Sequence, residues 1–250
     1  VAIGLNALEA LNSSDANGSV AVGTQAADAI TSGIGNVAVG YQALSAEDDG
    51  DYNTAIGHQA LTAQTGTSGT VGNTAIGYQA GYKITTGTFN TAIGYQNSYE
   101  SLTGTNNVSV GYQSFYRNQA GSDNTVIGVG AGLNATGSYN TFVGRKAGKG
   151  LTSAPYASGE RNTAVGYQSL QAQTTGGNNT AVGYNAGLAL TTATNTILIG
   201  HGAGDDLTTG GTNVIIGADA GSNLTTDIRV TAIGYVAAQY MTGAVGTRYN

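Results

Sequence analysis

The 250 residues include 9% charged side chains, against roughly 25% in an ordinary soluble domain, and carry a net charge of −6. Only 8 of them are Lys or Arg, which argues against a phosphate-binding groove, and the absence of Cys excludes disulfides and thiolate metal sites. No apolar run approaches the ~18 residues of a membrane-spanning helix, while 40% apolar content separates the chain from disordered polar sequences.

Taken in chain order, the elements are one unit written again and again. Residues 1–8 already read as repeat, with no signal peptide visible ahead of them. NTAIGHQA stands at 53–60, NTAIGYQA at 73–80, NTAIGYQN at 90–97, NTAVGYQS at 162–169 and NTAVGYNA at 179–186. The glycines that follow each Ile or Val are Gly4, Gly23, Gly40, Gly57, Gly77, Gly94, Gly111, Gly128, Gly144, Gly166, Gly183, Gly200, Gly217 and Gly234. Nine of the 13 intervals between them equal 17, a period that predicts a solenoid.

The columns predict one short strand per coil. The residue before the glycine is Ile or Val in all 14 repeats, and the residue three before it is always β-branched. Such residues favour strand, and positions two apart share a face. Ala stands between them in nine repeats, on the other face. The fold class expected is therefore all-β: a parallel β-solenoid of about 14 coils, with the Ile/Val column as its core and a length of about 65–70 Å at the inter-strand spacing. Ala would then be free to face a neighbouring chain.

Other columns suggest ladders. Asn precedes the glycine by four in ten repeats, where stacked amides can bond coil to coil and the side chain suits a left-handed corner. Tyr follows the glycine at Tyr41, Tyr78, Tyr95, Tyr112, Tyr167, Tyr184 and Tyr235, and a second run is Tyr82, Tyr99 and Tyr116. Thr-Thr pairs at 85–86, 191–192, 208–209 and 225–226 look like a second turn or strand.

The whole of 1–250 reads as a single repeat array. Asn250 followed by Val1 would write NVAIG, which compares with NVAVG at 36–40, so the array is expected to be a window of a longer one or a filament subunit. The 22-residue interval 144–166 carries the single Pro, Pro155, with Arg145, Lys146, Lys149 and Arg161, and is expected to bulge as a loop over 145–161.

Residues able to do chemistry are explained by the repeat. His58 and His201 occupy the Tyr column without a partner His or Cys. The acidic stretches at 46–51 and 204–206 lack EF-hand spacing and read as solvated turns. No catalytic residue, cofactor or metal site is expected.

NTAIGYQA, NVAVGYQA and NNVSVGYQS resemble the YadA-like head repeats of trimeric autotransporter adhesins, and the NTAIGYQAL…TTG pattern is similar to arrays in phage tail fibres and large bacterial surface proteins. The resemblance covers essentially the whole chain. It implies a left-handed parallel β-roll, three chains around one axis and a role in adhesion.

The reading is a non-enzymatic structural fibre: a shaft or stalk of an extracellular adhesin, a phage tail fibre or a self-assembling surface filament, on a cell surface or virion. Its expected partner is itself, as a homotrimer or an end-to-end filament. The alternative is a module binding a cell-surface glycan or host receptor through Tyr82, Tyr99 and Tyr116 or through Arg145, Lys146, Lys149 and Arg161. A minor alternative is an ice-binding solenoid using its Thr columns.

Overall fold

The structure, a computed structural model, describes residues 1–11, 18–65, 69–152 and 156–239. The chain divides into two compact units, Val1–Asn124 and Thr125–Asn250. Each is a parallel β-solenoid with one short strand per coil, as the period predicts, and no helix occurs among the described residues.

In the first unit the ladder consists of β1 (Ala2–Ile3), β2 (Val20–Val22), β3 (Val37–Val39), β5 (Thr54–Ile56), β7 (Thr74–Ile76), β8 (Thr91–Ile93) and β9 (Val108–Val110). A side pair joins β4 (Gly50–Asp51) to β6 (Gly69–Thr70). In the second unit the ladder consists of β10 (Thr125–Ile127), β11 (Thr141–Val143), β12 (Thr163–Val165), β13 (Thr180–Val182), β14 (Ile197–Ile199), β15 (Val214–Ile216) and β16 (Thr231–Ile233). Register is constant: Ala38 pairs Ala55, Ala55 pairs Ala75 and Ala75 pairs Ala92, so like residue sits on like.

The two strand faces are the reverse of the sequence expectation. The middle residue points inward: Ala21, Ala38, Ala55 and Ala75 are fully buried. The Ile/Val column points outward, and Ile56, Ile76, Ile127 and Ile199 are 37–39% exposed. Alternation of period two separates the faces without saying which one is inside. What decides is apolar mass from the opposite wall. Leu44, Leu61, Phe115 and Leu170, four after the glycine, and Ile30, Ile84, Leu190, Leu207 and Leu224, seven after it, all fill the coil. An Ala on the strand leaves room for them, whereas a second large column would overfill the interior.

These two positions compensate each other. In four coils the residue four after the glycine is large and the one seven after is polar: Leu44 with Glu47, Leu61 with Gln64, Phe115 with Asn118, Leu170 with Gln173. In four coils where it is Gly the later residue is large, Gly81 with Ile84, Gly187 with Leu190, Gly204 with Leu207 and Gly221 with Leu224, while Gly132 is paired with Ala135. The buried polar members bond to backbone. Asn118 donates to the Gly121 carbonyl and accepts its N–H, both at 2.8 Å, and Gln64 donates to the Thr85 carbonyl at 2.8 Å.

Phe142, a large residue at the inward strand position, follows the same rule. A Cβ on Gly148 would lie 2.5 Å from its ring. Gly148→Ala is expected to cost about 1–3 kcal/mol through overpacking. In a Phe142→Ala background the same Gly148→Ala change should cost less, which denaturant unfolding of the two single variants and the double variant would measure.

The corners are left-handed, but not at the Asn column. Positive φ falls immediately before it (Asn106, φ 58°; Asn178, φ 58°), and two and four residues after the glycine (Gln96, φ 46°; Leu61, φ 50°). Even there the backbone stays bonded between coils: the Gln59 N–H donates back to Tyr41 at 2.8 Å and the Leu61 N–H forward to Ala80 at 3.0 Å. The Thr-Thr pairs form bends rather than a strand. Their first hydroxyl donates to the next coil, as Thr191 does to the Thr208 carbonyl at 3.1 Å and Thr208 to Thr225 at 2.9 Å.

Candidate functional site

The repeat places each polar or aromatic column along successive coils, and the columns bond to themselves. In the Asn column each Oδ1 accepts the backbone N–H of the Asn one coil on: Asn73 to Asn90 at 2.8 Å, Asn90 to Asn107 at 3.1 Å and Asn162 to Asn179 at 3.0 Å. Most Nδ2 groups donate to a backbone carbonyl, Asn90 to Gly104 at 2.8 Å and Asn179 to Ala193 at 2.8 Å, whereas the buried Asn53 Nδ2 has no partner. These amides are buried, so both polar ends require those partners. The amide ladder expected from sequence is present.

Beside the Tyr column runs a ladder that sequence reading did not single out. Gln25, Gln42, Gln59, Gln79, Gln96 and Gln113 each stand two after a glycine, and from Gln42 onward every Nε2 donates to the Oε1 of the preceding Gln at 2.9–3.1 Å. The recurring Gln after Tyr was the available signal.

The tyrosines stack. Tyr41, His58, Tyr78, Tyr95 and Tyr112 form one column with ring centroids 5.0–5.3 Å apart. Tyr82, Tyr99 and Tyr116 form a second at 5.0–5.1 Å. Tyr167, Tyr184 and His201 form a third in the other unit, at 5.1 Å. Both histidines are thus members of aromatic stacks. Within a stack the ring faces that a sugar would use cover one another, leaving edges and hydroxyls outward.

Charges flank the second column. Lys83 Nζ lies 3.2 Å from Glu100 and Arg117 Nε 3.8 Å from its other oxygen. The Glu100 hydrogen bond holds the Lys83 ammonium above its ordinary pKa. Burial, with Glu100 nearby, raises the Tyr116 phenol. Tyr82, Tyr99 and Tyr116 are therefore brought together as one cluster.

The four basic candidates do not share one bulging loop. Arg145 takes the Tyr-column place after Gly144, with its guanidinium 5.6 Å from the Tyr167 ring centroid and Nη1 donating to the Tyr167 hydroxyl at 3.1 Å. Lys146 takes the Gln-column place with φ 60°, and Lys149 lies further along the same turn. Arg161 occupies the corner before Asn162, over the Tyr139 ring and 3.5 Å from Glu160. Regular coil thus covers 144–150, and Ala157 rejoins by bridging to Ala135. Pro155 lies outside the described residues.

Glu47, Asp48 and Asp49 bring carboxylate oxygens within 4.8 Å of one another. Glu47 is buried and one of its oxygens accepts the Gly50 N–H at 2.8 Å, which makes it part of the turn. Elsewhere, burial is the main cause raising Asp205 above the ordinary 3.8, with Asp206 and Asp219 adding to it. A raised acid holds a proton in the folded state that the unfolded chain releases, so its contribution to stability falls as pH rises above about 3.8. Asp205→Asn is expected to raise the melting temperature at neutral pH and to flatten this part of its pH dependence, read by thermal melts from pH ~4 to pH ~8.

No protein-family model matches the chain, and neither a curated protein nor a solved structure matches it.

Proposed function

We propose that the chain is a non-enzymatic structural segment, a solenoid shaft of an extracellular fibre carried by a cell or a virion. The observation that carries this reading is the use of its repeated polar and aromatic columns. Among the described residues, the Asn, Gln and Tyr columns contact their own counterparts one coil away. Side chains that elsewhere bind ligands here join coil to coil. Such ladders stiffen a repeat array and suit a load-bearing element.

The partner in this reading is the chain itself, through the outward Ile/Val face. In each unit seven strands of about three residues make a β-branched surface of about 300 Å². Parallel sheets are ordinarily covered on both faces. A copy of the chain repeats its aliphatic side chains at the same ~4.8 Å coil spacing, so the two surfaces interdigitate along their length.

Immunogold labelling of the source particle or cell tests the reading. The expected result is label along filaments that project from the surface. Label spread through the cell interior would overturn it.

A further inference from the structure

We propose that the stacked tyrosines are sites of oxidative cross-linking, where peroxide-driven one-electron oxidation joins neighbouring coils through dityrosine. The inference stands on coil geometry and goes beyond the shaft reading.

Composition directs the oxidation. The chain has 15 Tyr, no Cys, no Trp and 1 Met, so phenols are its principal one-electron donors. Geometry then selects which phenols meet. Tyr78, Tyr95 and Tyr112 stack at 5.0 and 5.3 Å with interplanar angles of 15° and 9°. Tyr82, Tyr99 and Tyr116 stack at 5.0 and 5.1 Å with angles of 11° and 7°. Each pair is tied at its base, since the Gln96 N–H donates to the Tyr78 carbonyl at 2.8 Å and the Gln113 N–H to Tyr95 at 3.0 Å. Rings held in contact react as if at very high local concentration. Tyr78, Tyr95 and Tyr112 are 41–49% exposed, so an oxidant reaches them and the rings have room to tilt.

The step balances with hydrogen peroxide as oxidant and a haem peroxidase as its agent. Each of two stacked tyrosines gives up one electron, and its phenol proton passes to water. The two ring radicals join by one C–C bond between carbons ortho to the hydroxyls. The hydrogen on each of these carbons then moves to its phenol oxygen as aromaticity returns. Two tyrosines have lost two hydrogen atoms, and one peroxide has become two waters. The product closes a covalent loop between adjacent coils.

Dilute purified protein would be treated with hydrogen peroxide and a haem peroxidase, and its cross-linked peptides mapped by mass spectrometry. Links are expected at Tyr78–Tyr95, Tyr95–Tyr112, Tyr82–Tyr99 and Tyr99–Tyr116, severalfold above any link to Tyr52 or Tyr139. Those two are 53% and 55% exposed, but their places in the next coil are held by Gly72 and Arg161. Tyr95→Phe should keep the stack and abolish its two links, while Tyr82–Tyr99 persists as a check on folding. Equal yields at Tyr52 and Tyr139, or links formed only between separate chains, would overturn the proposal.

Discussion

Gly94→Ala is expected to destabilise the first unit by about 3–5 kcal/mol, among the largest effects of any single methyl group added to it. Gly94 has φ 134°, in a region that L residues avoid. A Cβ there would also lie 2.8 Å from the carbonyl carbon of Gly111, the corresponding glycine one coil on. Relief requires the two coils to separate, which breaks backbone bonds such as Gly111 N–H to Ile93 at 2.8 Å and Gln113 N–H to Tyr95 at 3.0 Å. Gly69→Ala separates the two causes. It has φ 100° with nothing within 4 Å of its Cβ, so only the conformational cost of about 1 kcal/mol is expected. Urea unfolding of both variants would check the difference.

Asn90→Leu is expected to cost a similar amount, about 3–5 kcal/mol. Asn90 accepts the Asn107 N–H at 3.1 Å and donates to the Gly104 carbonyl at 2.8 Å and to Asn73 Oδ1 at 3.2 Å. Leucine keeps its branched four-atom side chain and removes every one of these bonds. The groups left behind are buried and lose their partner without gaining water. Asn90→Thr should lose less, because Thr196 already holds that column with its hydroxyl donating to the Thr194 carbonyl at 3.2 Å. Chemical denaturation of the pair, with hydrogen exchange at Asn107, would show the loss and its position.

These two columns explain how much of the fold was legible. The 17-residue interval and the invariant glycine are direct consequences of coils stacked backbone on backbone, so period, strand position and parallel pairing could be read from Gly40, Gly57 and Gly77. The Asn ladder was legible for the same reason. Which strand face lies inside was not. That depends on how much volume Leu61 or Ile84 brings from the far wall, and Ile76 looks like core until that volume is counted. The left-handed corners were hidden because Gln96 and Leu61 are not residues that ordinarily mark positive φ.

The candidate site was legible in part. Spacing alone brought Tyr82, Tyr99 and Tyr116 into one stack. It also misled at Arg145, Lys146, Lys149 and Arg161. A long interval with many cations resembles a loop, yet Arg145 and Lys146 are substitutions in the Tyr and Gln columns. The Lys83–Glu100–Arg117 row was missed because each charge appears once and repeats in position rather than in residue type.

Sedimentation equilibrium of the 24.9 kDa chain, alone and as the Ile76→Lys/Ile93→Lys variant, tests the central claim that the outward Ile/Val face joins copies of this chain. The account predicts a multiple of the chain mass that falls to a single chain in the folded variant. A single-chain mass for the unaltered protein at all concentrations, or an assembly indifferent to the two lysines, would contradict it.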